Sequence, residues 1–148
     1  MIKYWEDDEK TKETKRNGWI HSGDIGIIDE EGYLSIVGRN KDMIIRGGEN
    51  ISPKEVEEFY GNQKWVKDIQ VIGVKDEKFV EEVAAWIIPD KEVKDPEELI
   101  KDLLAMTEGR LAHFKIPRYI YICDQFPLTV TGKVKKNVMR DEMNFMLE

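Results

Sequence analysis

Residues 69–88 read IQVIGVKDEKFVEEVAAWII and contain two apolar runs separated by a short, mostly polar segment. The runs Ile69 to Val74 and Val80 to Ile88 are rich in β-branched and aromatic residues, which favour strands. Lys75-Asp76-Glu77 lies between them and has the polar character of a turn. This stretch therefore predicts two consecutive strands at the centre of a folded domain.

Helices and a third strand are predicted on either side of this pair. Ser52-Pro53-Lys54-Glu55 combines an N-cap serine, a proline at the first helical position and a glutamate that can close a capping box. Asp95-Pro96-Glu97-Glu98 opens a second helix in a similar way, Arg118 to Cys123 is a third strand, and Lys135 to Leu147 is a last helix. This order predicts an α+β fold, a small two-layer sandwich of a three-stranded sheet covered by helices on one face.

The first part of the chain is predicted to be less regular. Residues 1–18 are charged and show no core-facing period, so we expect a surface connection there. Asp24 to Asp29 and Tyr33 to Val37 are short β-favouring runs separated by Glu30-Glu31-Gly32, which predicts a β-hairpin. A hairpin alone is marginally stable in water, so this one should need another surface to pack against.

Composition limits the classes of function. The chain has 148 residues, 41% apolar and 36% charged, which suits a globular domain with a core. A formal net charge of -7 disfavours nucleic-acid binding. No stretch is long enough for a membrane span, and the N-terminus shows no signal sequence. Cys123 is the single cysteine, which we interpret as a buried, inert thiol in a reducing compartment, so the expected location is cytoplasmic.

Three glycine-containing segments have no evident packing purpose. They are Gly18–Asp24, Gly38–Asn50 and Pro127–Lys136. The last does not form a Gly-x-x-x-x-Gly-Lys-Ser/Thr phosphate loop, because Pro127 and Val134 stand at two of its defining positions. Lys133 could still reach a phosphate or carboxylate as a point charge, although the loop by itself favours a solvated lysine in a turn.

In this order, the three segments resemble the C-terminal signature of the adenylate-forming (AMP-binding) superfamily of acyl-CoA synthetases, luciferases and peptide-synthetase adenylation domains. The resemblance extends over nearly the whole chain, including Tyr4-Trp5, residues 71–77 and residues 111–118. Arg46 to Ile51 and His113 to Tyr119 look most like medium- and long-chain fatty-acyl-CoA ligases, enzymes of fatty acid metabolism.

The resemblance implies roles for residues in the first half of the chain. Asp24 matches the aspartate that holds the ribose hydroxyls, and Arg39 matches the arginine beside it. Lys41 matches the hinge about which the small C-terminal domain turns. The residues alone leave an alternative open, because Asp24 after Gly23 is also typical of an ordinary turn.

Two further matches concern the acyl-transfer chemistry. Gly47 and Gly48 match the loop that lines the tunnel for the pantetheine arm of coenzyme A, although a glycine pair is also typical of an ordinary turn. Lys133 matches the catalytic lysine. The sequence departs from the usual pattern at Ser22, at Val80 and at Lys136, where threonine, glycine and arginine are commoner in the family.

The resemblance also implies a two-step reaction, in which a carboxylic acid and ATP form an acyl-adenylate and the acyl group then passes to coenzyme A. ATP with magnesium and coenzyme A are substrates of the full enzyme, and we expect neither a bound cofactor nor a metal site in this chain. Residues 1–40 would end the large adenylating domain, and residues 41–148 would form the mobile C-terminal domain. The partner would be the missing N-terminal domain of the same enzyme, so the isolated chain is expected to be inactive.

Two other functions stay open at this point. The chain could be the small domain of an aryl-acid or amino-acid adenylating enzyme that delivers its product to a carrier protein. It could also be a non-catalytic α+β interaction module whose glycine segments are only turns. The acid substrate, its chain length and the oligomeric state are not specified by these residues.

Overall fold

The computed structural model describes residues 2–90 and 95–148. The chain divides into two compact units, Met1–Lys41 and Asp42–Glu148. A short 3-10 helix, Asn40–Asp42, contains the boundary between the units. The division lies one residue from the predicted domain boundary between residues 40 and 41; the assignment of the two parts to a large and a small functional domain remains a prediction.

The first unit consists of one short helix and two small antiparallel sheets. Its elements are α1 (Asp8–Thr14), β1 (Lys15–Arg16), β2 (Trp19–Ile20), β3 (Asp24–Ile28) and β4 (Leu34–Arg39). The Asp7 carboxylate caps α1 by accepting a hydrogen bond of 2.9 Å from the amide of Lys10. None of the α1 residues is buried, which explains why no apolar period predicted this helix.

The predicted hairpin is formed by β3 and β4, which pair antiparallel with Ile28 opposite Leu34. Asp29 closes its turn, since one carboxylate oxygen accepts from the amides of Glu31 and Tyr33 at 3.0 and 2.8 Å. Gly32 has a φ of 89°, a conformation that glycine adopts without strain. The turn chemistry is therefore local and readable from the sequence.

The second unit is built on a five-stranded sheet. Its elements are β5 (Ile44–Arg46), β6 (Glu49–Ile51), α2 (Pro53–Gly61), β7 (Val66–Asp76), β8 (Val80–Pro89), α3 (Pro96–Ala105), a 3-10 helix (His113–Lys115), β9 (Tyr119–Ile122) and α4 (Lys136–Leu147). The strand order is β6-β5-β8-β7, and β9 pairs parallel with β8. The prediction of a three-stranded sheet was wrong, because the three-residue strands β5 and β6 are too short to show a period in the sequence.

The helices cover both faces of the sheet, whereas the sequence predicted one covered face. On one face, Val71 and Val83 pack in the cluster that contains Val56 of α2 and Leu103 of α3. On the other face lies a second cluster, which joins strand residues to α4 and has the members Ile72, Val74, Ala84, Trp86, Phe126, Met139 and Met143. Successive strand residues point to opposite faces, so a strand that is apolar at every position requires cover on both sides.

The two predicted helix starts differ in their capping. The Asp95 carboxylate accepts hydrogen bonds from the amides of Glu97 and Glu98, as its position before α3 predicts. Ser52 stands at the N-cap of α2 with extended backbone, but its side chain makes no capping hydrogen bond to the helix. The start of α2 therefore depends on the proline at its first position and on the buried contacts of Val56 and Tyr60.

The turn between β7 and β8 leads into a strained residue, the first of β8. The Asp76 carboxylate accepts from the amides of Lys78 and Phe79 at 2.9 and 2.8 Å. These hydrogen bonds, above all the one from Phe79, lower the pKa of Asp76. Val80, which pairs with Asp76, has a φ of 73°, a left-handed conformation that is unfavourable for a β-branched residue.

We expect Val80→Gly to stabilise the chain by about 0.5–1 kcal/mol. The left-handed conformation costs a non-glycine residue roughly 1–2 kcal/mol, and the greater freedom of glycine in the unfolded chain offsets part of that gain. Urea unfolding of the 148-residue chain measures the change. The matched control is Val130→Gly, because Val130 is also exposed but does not have a positive φ. Equal changes in the two variants would show that Val80 is not strained.

Candidate functional site

Asp24 and Arg39 lie opposite each other on β3 and β4. The Arg39 Nε donates a hydrogen bond of 3.0 Å to Asp24 Oδ1. The side chain of Asp24 is 27% exposed and that of Arg39 is 58% exposed, so both can reach a ligand in solvent. The hairpin thus brings together the two residues that sequence analysis assigned to the nucleotide, although fifteen positions separate them.

An open depression of about 250 Å³ lies beside this pair and is lined by Ser22, Gly23, Arg39, Asn40 and Lys41. The amide of Asn40 donates to the carbonyl of Gly23 at 2.8 Å, which closes the end of the hairpin next to the depression. The surface is a ledge that one side of a polar ligand could occupy. It does not enclose a nucleotide by itself.

Gly47 and Gly48 form the turn between β5 and β6. Their φ angles are 59° and 92°. A Cβ on Gly47 would lie 3.2 Å from a ring carbon of Phe79, and the Gly47 amide donates to the Phe79 carbonyl at 2.9 Å. At Gly48 a Cβ would meet no atom within 4 Å. The backbone conformation accounts for both glycines without a ligand, so their place in a pantetheine tunnel stays a prediction.

Lys133 lies at the end of a tight loop whose flanks meet at the bridge between Leu128 and Val134. The Thr129 amide donates to the Lys133 carbonyl at 2.7 Å, and the Lys133 amide donates to the Thr129 hydroxyl at 3.0 Å. Gly132 takes a φ of 81°. The loop therefore fixes the backbone of Lys133, while its exposed ammonium finds no acceptor within hydrogen-bonding distance in residues 2–90 and 95–148.

The base of this loop is anchored by Lys136, a contact that sequence analysis missed. Its Nζ donates to Glu57 Oε1 of α2 at 2.6 Å and to the carbonyl of Val71 in β7 at 3.1 Å. The same carboxylate oxygen accepts from the amide of Val71 at 2.8 Å. Lys136 thereby ties the start of α4, and the loop before it, to α2 and β7. Its partners are too far away in the sequence for a local pattern to predict the contact.

Lys41 is exposed and forms the last residue of the first unit. The next residue, Asp42, is held by a different element of the second unit, since Arg140 of α4 donates to Asp42 Oδ1 at 3.0 Å. The described segment after Lys41 is therefore attached to the helix that follows the Lys133 loop.

The other residues considered for chemistry are accounted for by the fold. Cys123 is half-buried, its thiol donates to the carbonyl of Ile87 at 3.8 Å, and burial raises the pKa of the thiol. Both features suit an inert thiol. In the described residues, no group of three or more histidine, cysteine, aspartate or glutamate side chains could hold a metal ion, and no helix could cross a membrane.

Comparison with known proteins identifies the family of the chain. Residues 55–133 match the family model for the AMP-binding enzyme C-terminal domain. The chain belongs to this family. It is 46% identical over 144 residues to the bovine protein named "Medium-chain acyl-CoA ligase ACSF2, mitochondrial". This alignment covers 97% of the chain and 23% of the relative. It is 45% identical over 144 residues to "Putative acyl-CoA synthetase YngI" of Bacillus subtilis, covering 96% of the chain and 26% of the relative.

Solved structures give the same result. The crystal structure of ATP-bound MatB from Rhodopseudomonas palustris has a TM-score of 0.86 and 37% identity, covering 99% of this chain and 29% of that chain. This chain thus corresponds to the C-terminal domain of adenylate-forming acyl-CoA synthetases. The resemblance seen in the sequence is confirmed. The chain spans about a quarter of the length of these relatives.

We expect Lys136→Ala to lower the free energy of unfolding by about 1–2 kcal/mol, because it removes two charge-assisted hydrogen bonds at a largely buried position. Lys135→Ala is the matched control: the Lys135 side chain is exposed and its amide donates to the Pro127 carbonyl, a bond that alanine keeps. Its loss should be below about 0.5 kcal/mol. Urea unfolding of both variants gives the comparison, and equal losses would contradict the anchoring role.

Proposed function

We propose that this chain is the C-terminal part of an ATP-dependent ligase that joins a carboxylic acid, most simply a fatty acid, to coenzyme A. Residues 41–148 would be its mobile C-terminal domain, and residues 1–40 would end its large adenylating domain. The observation that carries the proposal is the placement of Lys133, an exposed ammonium without a local acceptor on a loop whose backbone is fixed. Membership of the AMP-binding family supports it, and so does the pairing of Asp24 with Arg39.

Lys133 would act in the first half-reaction. When a carboxylate attacks the α-phosphate of ATP, two anions approach each other and pyrophosphate leaves. An ammonium placed between them offsets their repulsion as the new bond forms, and such charge stabilisation in a dry site is typically worth about 3–4 kcal/mol. Lys133 suits this role because its charge is compact and its stem is long.

Asp24 and Arg39 would hold the nucleotide. An ionised carboxylate only accepts hydrogen bonds, so Asp24 can receive both hydroxyl groups of a ribose. The bond from Arg39 to Oδ1 orients that carboxylate. Magnesium would enter as the counter-ion of ATP, as part of the substrate.

Lys41 would be the hinge and the Gly47–Gly48 turn would line the path of the pantetheine arm. The boundary between the two compact units directly follows Lys41, which supports the hinge. Hinge residues at element ends absorb the backbone rotation of domain movements. After the domain rotation, Lys133 would move away from the reacting atoms. The thiol of coenzyme A would then attack the acyl-adenylate.

The proposed partner is an adenylating domain that supplies the rest of the ATP and acyl pocket. The β3–β4 hairpin leaves large apolar side chains exposed, with Ile27, Ile28, Tyr33 and Leu34 all between 61% and 69% accessible. A two-stranded hairpin with this much exposed apolar surface is expected to pack against a further domain. We also propose a cytoplasmic location, because a single half-buried free cysteine suits a reducing compartment.

A chimera tests this proposal, with residues 1–148 replacing the matched segment of the bovine relative. Lys133→Ala should slow pyrophosphate exchange into ATP, measured with a medium-chain fatty acid, by roughly 100- to 1000-fold. The same variant given preformed acyl-adenylate should still make acyl-CoA at a near-normal rate. Lys133→Arg should rescue poorly, because the planar guanidinium is bulkier and spreads its charge.

Lys135→Ala is the control for this experiment and should lose much less activity. Lys136 is unsuitable as a control because it anchors the loop to Glu57. The 148-residue chain alone should show no pyrophosphate exchange, since the proposed adenylating domain is absent. Normal adenylation by Lys133→Ala, or an equal loss in both half-reactions, would contradict the assignment of Lys133.

Lys41→Pro tests the hinge in the same chimera. Proline fixes φ near the value of a 3-10 helix and so restrains rotation at this residue. Adenylation should be retained while formation of acyl-CoA becomes slower, with Lys41→Ala as the matched control. If single-turnover measurements show equal losses in the two steps, Lys41 is not the hinge.

A further inference from the structure

Glu82 is a charged residue in the core of the sheet, with only 1% of its surface exposed. Its Oε1 accepts hydrogen bonds from Arg46 Nε and from the amide of Val83. Its Oε2 has no hydrogen-bond partner in the described residues, and the guanidinium of Arg118 lies 3.9 Å away. A buried carboxylate is costly unless cations compensate it, so Arg46 is the contact that makes this position tolerable.

Arg46 immediately precedes the Gly47–Gly48 turn and is held from two sides. Its side chain is 16% exposed and ion-paired with Glu82, and its guanidinium carbon lies 4.2 Å from the centroid of the Phe79 ring. The hydrogen bond to Glu82 raises the pKa of Arg46. Arg46 is therefore an immobilised cation whose backbone begins the turn.

Few backbone bonds hold this turn to the sheet. β5 pairs with β8 at one position, Arg46 opposite Val80. Beyond that pair, the Gly47 amide donates to the Phe79 carbonyl, and the Ile45 amide donates to a Glu81 side-chain oxygen at 2.7 Å. Side chains of β8 thus supply contacts that a longer strand ladder would supply through its backbone.

We propose that Glu82 is a positioning residue for thioester formation, which it serves by holding the Gly47–Gly48 turn against β8 through Arg46. The inference rests on the proposed function for the part that concerns coenzyme A. The physical link from Glu82 to the turn does not depend on that function. Neither residue touches the reacting atoms; the pair fixes the wall past which the pantetheine arm would move.

The pair also restrains a turn that carries two glycines. Glycine has the largest backbone freedom of any residue, so a Gly-Gly turn is mobile unless its neighbours restrain it. The ion pair with Glu82 holds Arg46 at the start of the turn, and the Gly47 amide donates to the Phe79 carbonyl. Loss of Glu82 would release Arg46 and return that freedom to Gly47 and Gly48.

Amide hydrogen exchange of the 148-residue chain tests the physical link. Glu82→Gln keeps the shape of the side chain and removes its charge. We expect exchange at the Gly47 amide to rise roughly tenfold or more, because its bond to the Phe79 carbonyl opens more often. The Cys123 amide, which donates to Ile87 at the far end of β8, is the internal reference and should change much less.

Two further variants make this measurement decisive. Arg46→Lys keeps both charges but removes the Nε contact, so it should fold and should also increase Gly47 exchange. Glu58→Gln is the matched control, because Glu58 is an exposed partner of Lys54 on α2 and does not contact the turn. Unchanged Gly47 exchange in both Glu82→Gln and Arg46→Lys would overturn the inference, whatever the enzyme does.

The chimera described above tests the functional half. Glu82→Gln should leave pyrophosphate exchange within about twofold of normal and slow acyl transfer from preformed acyl-adenylate by roughly 10- to 100-fold, as expected for a misplaced substrate path. Lys133→Ala should do the reverse, slowing adenylation and sparing acyl transfer. Faster Gly47 exchange with normal acyl transfer would overturn the positioning role alone. If Lys133→Ala affected both half-reactions equally, the proposed function would be overturned, but the link between Glu82 and the turn would stand.

Discussion

The antiparallel pairing of β7 with β8 is the interaction on which the rest of the second unit depends. The two strands contain eleven and ten residues and pair from Val66 with Pro89 to Asp76 with Val80. Both faces of this ladder are apolar, so it needs α2 and α3 on one side and α4 on the other. Within the second unit, the Gly47–Gly48 turn is held at the end of this pair beside Val80, and Lys136 ties the Lys133 loop to β7.

The proposed chemical groups are exposed, whereas the contacts that hold them are partly or fully buried. Lys136 bonds to Glu57 below the Lys133 loop, Arg46 pairs with Glu82 beside the glycine turn, and Arg140 pairs with Asp42 directly after Lys41. These partners are separated by 79, 36 and 98 positions in the sequence. Each pair holds its loop in a defined position while the loop itself stays exposed. Removing one partner would leave the other charge buried without compensation, so these positions should be sensitive to substitution.

The sequence predicted much of the framework and only part of its arrangement. Strong local signals located α2, α3, β7, β8, β9 and α4, and the Asp95 cap formed as expected. The two three-residue strands β5 and β6 were missed because a short strand beside glycines has no readable period. The cover on the second face was also missed, although apolar residues at every position of Val83 to Ile88 are what a strand buried on both faces requires. The structure brings Asp24 and Arg39 together, while their role at a nucleotide stays a prediction. No signal in the sequence pointed to the ion pairs of Glu82 and Lys136.

By itself, the sequence determined the local elements, the family and the residue types available for chemistry, because caps, turns, apolar periods and ordered motifs act over a few neighbouring positions. Only the tertiary structure decided which charges meet. A carboxylate and a cation carry no sequence mark of their partner, and Glu82 next to Glu81 gives no local sign that one accepts from an amide of β5 while the other pairs with Arg46. That choice follows from strand alternation and register, which turn adjacent residues to opposite faces and bring distant ones into contact.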